Sequence, residues 1–467
     1  MLVVLCLVQF LLTFDDTAVN VAIPHLLTDL GFSTPGVAWV ANAYFLTFGG
    51  LLLLGGRLGD VFGRRRVFLL GLAAFGVASA ATGLAQTPGH LVAGRFIQGA
   101  AAAVVSPSAL ALIALQFPAE RDRARAFSVW GAVAGAGGVS GLVLAGLLID
   151  AGSWRWIFMV NPPIVAAVIL VVAKLVVERR DSDRAGLDVA GAVVGTAAVA
   201  AMVFALLRAA EDGWIRAGSV VPAVASIALA VLFGKVERRA PNPVVPFGFV
   251  SFPPRALAMA SNLVFSAAFF SLSFLVMLHL QSVLGYAALR AAVAYLPHGL
   301  ALLVGVALSS MALERIGTRR TLMAAMVIGA AGMVLLGALS DGNEYLVDLL
   351  PGIVVTGFAS GLGFPVLAVA ALVGTNDENA GLGSALLSAS QQLGGAFGLA
   401  VFVNVATWST AAADGVRDAL ADGISEGLVG VGVVLLAGAA IASRLPRSAP
   451  PIPTAHDHPT QEKETAP

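Results

Sequence analysis

The chain is short of charge. Only 12% of its 467 residues are Asp, Glu, Lys or Arg, about half the share in an ordinary water-soluble domain. With 58% hydrophobic residues and a mean hydropathy of +0.90, it lacks the polar groups to cover a water-facing surface. It has a single cysteine, Cys6, which excludes an intrachain disulfide and a cysteine-based metal site; no metal site and no cofactor are expected. Lysine is confined to Lys174, Lys235 and Lys463, and the dominance of arginine points to a GC-rich bacterial genome. The formal net charge is zero, so nothing favours a nucleic-acid partner. No G-x-x-x-x-G-K-[ST] phosphate loop occurs, which removes that ATP site. The first apolar run has no basic flank and is interrupted by an acidic pair. It therefore reads as a first spanning helix and not as a cleaved leader, a truncated start being one alternative.

What is present is a series of apolar runs, each long enough to cross a bilayer. Fourteen are predicted, at 2–27, 37–57, 67–86, 90–115, 125–149, 155–177, 187–208, 217–235, 256–280, 291–313, 321–339, 346–373, 383–407 and 424–443. The fold class expected is an all-α polytopic membrane protein. The 52 glycines and abundant alanine suit close helix–helix contact in lipid. Arginine and lysine cluster on alternate loops: Arg57 with Arg64 to Arg66; Arg121, Arg123 and Arg125; Lys174 with Arg179, Arg180 and Arg184; Lys235, Arg238, Arg239 and Arg255; Arg315, Arg319 and Arg320; and Arg444, Arg447 and Lys463. The other loops hold only Arg155, Arg208, Arg216, Arg290 and Arg417. By the positive-inside rule both termini are expected in the cytoplasm of a cell whose inner (plasma) membrane the chain spans many times.

An internal repeat follows. GRLGDVFGRRRVFL (56–69) aligns with SMALERIGTRRTLM (310–323), matching Asp60 to Glu314, Gly63 to Gly317, and Arg65 and Arg66 to Arg319 and Arg320. Two six-helix halves with two helices between them would give this offset, and parallel repeats of that kind build transporters with a site at the midplane. The expected divisions are a six-helix bundle over 1–180, two linking helices over 181–240, a second six-helix bundle over 241–443 and a disordered tail over 444–467. The first loop, with Gly56, Gly59, Asp60, Gly63, Arg64, Arg65 and Arg66, reads either as a plain positive-inside turn or as a conformational latch; its completeness and its echo favour the latch.

The stretch LTFDDTAVNVAIP (12–24) places Asp15 and Asp16 inside an apolar run. A charge near the bilayer centre costs about 2.5–3.5 kcal/mol on insertion scales, so the pair must be structural or functional. Successive helical residues point about 100° apart; Asp15 shares a face with Val19 and Ala22, and Asp16 with Asn20. A structural pairing with Arg95 is one reading. The other is a proton carrier, because burial disfavours a carboxylate while a nearby guanidinium favours it, so changing exposure would load and release a proton. Arg95 either snorkels from the outer end of its span or takes part in this exchange.

These segments together resemble the major facilitator superfamily, specifically its fourteen-span drug:proton antiporter branch. FDDTAVNVAIP resembles the branch's first-helix motif at Asp15, Thr17, Val19, Asn20, Ala22 and Pro24, with Asp16 standing where the family usually has an apolar or small residue. GGRLGDVFGRRR resembles the signature loop, with Val61 where a basic residue is usual, and GRFIQGAAAA (94–103) the fourth-helix motif. SWRWIFMVNPP (153–163) and SQQLGGAFGLAVF (390–402) are also similar. WGAVAGAGGVSGLVLAGLL (130–148) keeps the gating glycines Gly131, Gly135, Gly138, Gly141 and Gly146 of the fifth-helix pattern but has Leu142 at its proline position and Ala145 at the first glycine of its closing pair. The resemblance implies two six-helix bundles plus two central helices, proton coupling through Asp15, Asp16 and Arg95, and export of small molecules by alternating access.

Substrate contacts are expected from Asn20, Asn42, Gln98, Asn262, Phe269, Gln281, Gln391 and Gln392, with Tyr44, Phe265, Phe270 and Asn404 as further inward candidates; an aromatic and apolar lining suits lipophilic, drug-like cargo. His279 and His298 read as interfacial polar residues at outer helix ends. One proton moving down about 100 mV and one pH unit supplies about 3.7 kcal/mol, a gradient of several hundredfold for a neutral substrate. The expected partners are a small-molecule substrate, protons and the lipid bilayer, with the chain a monomer. A proton-coupled importer or facilitator on the same fold is the alternative that the altered fifth helix keeps open. A lipid- or prenyl-modifying membrane enzyme is the alternative of another class, although Asp15–Asp16 lacks the D-x-x-D spacing of a metal-binding pair.

Overall fold

The computed structural model describes residues 1–117, 119–175, 188–241, 243, 245, 247–337, 344–375, 380–408 and 416–446. Among these the regular structure is helical. Of the tail expected over 444–467, residues 447–467 lie outside the described residues, as do Arg179, Arg180 and Arg184.

Six helices form the first half: α1 (Leu2–Leu30), α2 (Thr34–Phe62), α3 (Arg64–Gly83), α4 (Pro88–Gln116), α5 (Glu120–Asp150) and α6 (Trp156–Leu175). Two more, α7 (Val189–Asp212) and α8 (Ala217–Arg239), lead to the second half. That half begins with α9 (Pro253–Leu278), which ends in a π-helical turn at His279–Val283. Thirteen of the helices in the described residues are long and apolar enough to cross a membrane. One of them, Ala288–Leu336, has 49 residues, or about 70 Å, more than twice a hydrocarbon core. It is broken at Gly317, whose φ of 78° and ψ of 164° are non-helical, and so forms two spans, α10 (288–316) and α11 (318–336). With α12 (Leu350–Ala371, entered through a π turn at Tyr345–Leu349), α13 (Ala380–Trp408) and α14 (Val416–Ala442), the number of spans is the fourteen predicted.

The helix ends follow local chemistry. Ser33 Oγ accepts from the Gly36 amide at 3.0 Å beside Pro35, and Thr87 Oγ1 accepts from the His90 amide at 3.3 Å beside Pro88; each pairs a side-chain cap with a proline in the first turn. Gly63, matched to Gly317 in the repeat, likewise has a positive φ, 97°. Both glycines turn the chain between two spans at the same place in each half, in a backbone region that a side chain disfavours.

Small residues let the backbones approach. A Cβ added at Gly361 on α12 would sit 2.9 Å from the Leu302 Cα of α10, and one at Gly394 on α13 would sit 3.0 Å from the Leu263 Cα of α9. The halves meet along two seams. In the first, α5 and α10 touch at the end away from the start of α1, where the Gly146 Cβ position lies 2.7 Å from the Leu289 Cα and Asp150 accepts from the Leu289 amide at 3.2 Å, and again midway, where Val139 packs on Gly299. In the second, α2 meets α9 and α13, with Phe45 edge-on to Phe270 at 5.0 Å and the Gly49 Cβ position 2.9 Å from Gln392 Cβ. Helix α7 lies outside this second seam, with Thr196 against Gly50 and Asn404 of α13 donating to the Leu206 carbonyl at 2.7 Å. Helix α8 is held through α7 by Ser226, which donates to the Ala198 carbonyl at 2.7 Å.

Substituting Gly317→Ala should destabilise the protein by ~1–3 kcal/mol through the strained backbone alone, read as a lower thermal midpoint in detergent. Gly234→Ala, at a helical position with no atom within 4 Å of the new Cβ, should not lower it.

Candidate functional site

Two adjoining places hold the functional candidates: a buried polar cluster inside the first half and a cavity between the halves.

The cluster centres on Asp15, which is 1% exposed. Its Oδ2 pairs with the Arg95 guanidinium. Its Oδ1 accepts from Gln98 Nε2 and from Asn161 Nδ2, each at 2.9 Å. Gln98 and Asn161 also donate to Ser79 Oγ at 3.1 and 2.8 Å, and Ser79 donates to the Phe158 carbonyl at 2.9 Å. Arg95 Nε donates to the Val40 carbonyl at 2.9 Å, and the guanidinium lies over the Tyr44 ring, 4.5 Å from its centroid. Five helices contribute: α1 the acid, α2 the carbonyl and the ring, α3 Ser79, α4 Arg95 and Gln98, and α6 Asn161. The close approach is built into the GRFIQG segment. A Cβ at Gly99 would collide with Tyr44 and Thr47 of α2, and one at Gly94 with Thr82 of α3, so glycine at both positions presses the polar face of α4 onto its neighbours. A carboxylate with three donors and a fully buried counter-charge meets the condition under which ionic groups survive away from water.

The cavity, about 470 Å³, is lined from both halves. From the first half come Asp16, Asn20, Tyr44 and Trp130, with Gly135, Gly138 and Leu142 of α5; from the second come Phe269, Phe270, Tyr295, His298, Gln391 and Gln392. Asn20 Nδ2 donates to Ser273 Oγ across the halves at 3.4 Å. Tyr44 is the wall shared with the buried cluster, since it lines the cavity and carries the Arg95 guanidinium on its ring. On α5 the lining runs from Trp130 to Leu142 and does not include Gly146. Toward the other end, nothing from a neighbouring element lies within 4 Å of the Cβ positions of Gly131 and Gly135. Helix α5 has no proline and runs unbroken for 31 residues, as expected from Leu142 at the usual proline position.

The structure therefore separates the two aspartates that the sequence sets side by side. It brings Asp15 and Arg95 together, with Arg95 at 0% exposure, which overturns the snorkelling reading. Of the residues expected on the substrate, Asn20, Phe269, Gln391 and Gln392 line the cavity, as do Tyr44 and Phe270. Gln98 belongs instead to the Asp15 cluster. Asn262 donates to the Leu387 carbonyl and Ser390 Oγ at 2.9 and 2.8 Å and holds α9 to α13. Gln281 lies in the π turn, with its amide 4.0 Å from the Met277 sulfur. Asn42 is buried in α2 off the lining, both amide atoms without a partner among the described residues. Periodicity alone does not distinguish these four, because a polar residue bonding another helix and one facing a cavity have the same spacing.

Among the gating glycines, Gly135 and Gly138 line the cavity, Gly141 packs on Thr17 and Phe14 of α1, and Gly146 closes on Leu289. The loop candidates tie the first half to itself. Asp60 pairs with Arg64 at 3.1 Å, Arg65 donates to the Ala173 carbonyl of α6 at 2.7 Å, and Gly56 and Gly59 lie against Pro107 and Ser108 of α4. Among the described residues no hydrogen bond or ion pair joins Glu314 to Arg319 or Arg320, so the echo in the second half reproduces the turn and not the Asp60–Arg64 pair.

The sequence reading gave no role to Asn161 or Ser79; the Asn-Pro-Pro at 161–163 was the available signal for the first. It also misplaced both histidines. His279 is fully buried, and His298 lines the cavity, stacked on Tyr295 at 4.8 Å with Nδ1 3.4 Å from Thr356 Oγ1.

Removing Arg95 alone should strand a buried carboxylate and cost about 3–5 kcal/mol. The Asp15→Asn/Arg95→Gln double variant should lose less thermal stability in detergent than Arg95→Gln alone; an equal or larger loss would show that the pair is not the coupled unit.

The sequence profile of the Major Facilitator Superfamily matches residues 5–399. The chain is 38% identical over 414 residues to the puromycin resistance protein of Streptomyces alboniger, covering 88% of this chain and 82% of that one. It is 36% identical over 457 residues to the cephamycin export protein of Amycolatopsis lactamdurans, covering 96% and 93%. Among solved structures, the crystal structure of a D-xylose–proton symporter superposes with a TM-score of 0.65 at 17% identity, covering 95% of this chain and 97% of that one. These relatives set the enzyme alternative aside. The chain is a transporter and belongs to the Major Facilitator Superfamily.

Proposed function

We propose that this protein is a proton-driven exporter of small lipophilic molecules, working by alternating access. The observation that carries this reading is the contact of one side chain, Tyr44, with both places: it lines a cavity between the halves and stacks on the cation that holds the buried Asp15. In this reading Asp15 is the coupling acid and Arg95, Gln98 and Asn161 are its positioning residues. A proton arriving on Asp15 Oδ2 removes the charge that fixes Arg95 and weakens the acceptor that Gln98 and Asn161 share at Oδ1, so loading or unloading the proton changes how α1, α4 and α6 are held. The neighbouring wall of the cavity responds.

The moving bodies are the halves over 1–180 and 241–443, rocking about the cavity, with α7 and α8 supporting the α2/α13 side. With both termini cytoplasmic, the closed Gly146–Leu289 end faces outward and the open glycine face of α5 faces the cytoplasm. Cargo then enters from the cytoplasm, and the outward-open state exposes Asp15 to the more acidic side. The signature loop serves as a latch by holding α2, α3 and α6 as one body during the swing. Relatives named for puromycin resistance and cephamycin export support efflux of antibiotic-sized cargo.

Cells expressing the protein should accumulate less labelled puromycin than control cells, and a protonophore should abolish the difference. An importer would give the opposite sign: more label, falling on uncoupling. In proteoliposomes, Asp15→Asn should reduce flux driven by a pH gradient at least tenfold; retention of wild-type proton-driven flux would remove Asp15 from the mechanism.

A further inference from the structure

The two adjacent aspartates meet different surroundings, and the difference bears on the chemistry of the cargo. Asp15 is fully occupied: Arg95, Gln98 and Asn161 donate to it, and Tyr44 stands between Arg95 and the cavity. Asp16 has no hydrogen-bond or ion-pair partner among the described residues, and it lines the cavity. It is the only carboxylate among the described lining residues, which include no lysine or arginine. The one basic side chain among the described lining residues is the His298 imidazole, on the opposite half.

We propose that Asp16 is the counter-ion for a lipophilic organic cation bound in this cavity, while Asp15 remains with Arg95. The proposal rests on reading the cavity as the substrate site. A carboxylate in a largely apolar cavity is costly unless it is protonated or paired, and a cationic ligand can pair with it where a neutral or anionic one cannot. The walls suit the same ligand. Tyr44, Phe48, Trp130, Phe269, Phe270 and Tyr295 supply aromatic surface, and ring faces attract cations. Tyr44, 1% exposed, contributes its ring to this wall beside Asp16. Because the first-helix motif usually has no acid at this position, the selection for positive charge is a property of this chain and not of the motif.

Tetraphenylphosphonium and tetraphenylborate have nearly the same shape and opposite charge, and their binding to the purified full-length protein in detergent, corrected for partition into protein-free micelles, tests the assignment. The wild-type protein should bind the phosphonium at least tenfold more tightly than the borate. Asp16→Asn should bring the ratio close to one, and Asp16→Glu should restore much of it. A wild-type protein without charge preference, or a preference that survives Asp16→Asn, overturns the proposal; so does a preference for the borate, which would place selection on His298. The wild-type comparison stands even if the variants do not fold. Loss of proton-driven flux with cation preference intact would sink the export reading alone, whereas proton-driven flux without cation preference would sink this assignment alone.

Discussion

The structure depends on one buried ion pair. Asp15 and Arg95 sit on separate helices with almost no access to water, where an isolated charge would be costly in lipid or protein. The pair persists because each partner is also bonded elsewhere: Asp15 by Gln98 and Asn161, and Arg95 by the Val40 carbonyl and the Tyr44 ring. These constraints fix the relative placement of α1, α2, α4 and α6, and Ser79 brings in α3. An ionic contact of this kind is weak evidence for stability. Its significance is geometric: one carboxylate is bonded by side chains from α4 and α6, and its counter-ion is bonded to α2.

For the proposed coupling, a change of charge there must be transmitted through the rest of the architecture. Backbone contact through glycine packs α10 on α12 and α13 on α9, and close approach at Gly94 and Gly99 places α4 against α3 and α2. Each half is therefore stiff. Between the halves the contacts differ along the bundle: α5 and α10 touch from Gly146 and Leu289 to Val139 and Gly299, while the α5 glycines beyond, Gly131 and Gly135, face open space. In the proposed mechanism, a charged cluster beside a seam that is in contact along only part of its length lets a local electrostatic event act on that seam. The two added helices bias this symmetry. Helix α7 covers the α2/α13 side, and nothing equivalent covers α5 and α10 among the described residues.

Much of this was legible in the sequence, for a physical reason. The bilayer imposes a length and a polarity on every span, so hydropathy located the spans, including the pair that a continuous Ala288–Leu336 helix would hide, because Gly317 was already matched to Gly63. The repeat was readable since both glycines meet the same steric demand at the same turn. The acid and the arginine stood out singly, because charge inside a membrane is costly, and their pairing was one of the readings open until the structure brought them together. Less legible were the partners whose polarity is modest. Asn161 and Ser79 cost little to bury when bonded, so the sequence carried no alarm at either position, and Gln98, Asn262 and Gln281 looked alike although one bonds Asp15, one ties two helices and one sits in a π turn.

Composition and spacing by themselves determined that the chain is helical, crosses the membrane repeatedly and consists of two related halves, because those properties follow from hydrophobic length, the distribution of arginine and the steric needs of glycine. Only the tertiary structure decided which aspartate is sealed behind Tyr44 and which looks into the cavity. It also decided that His298 belongs to the cavity and that Asn42 and Asn262 do not. A helical wheel gives the angle between two side chains but not what stands opposite each of them, and that is set by five helices meeting at once.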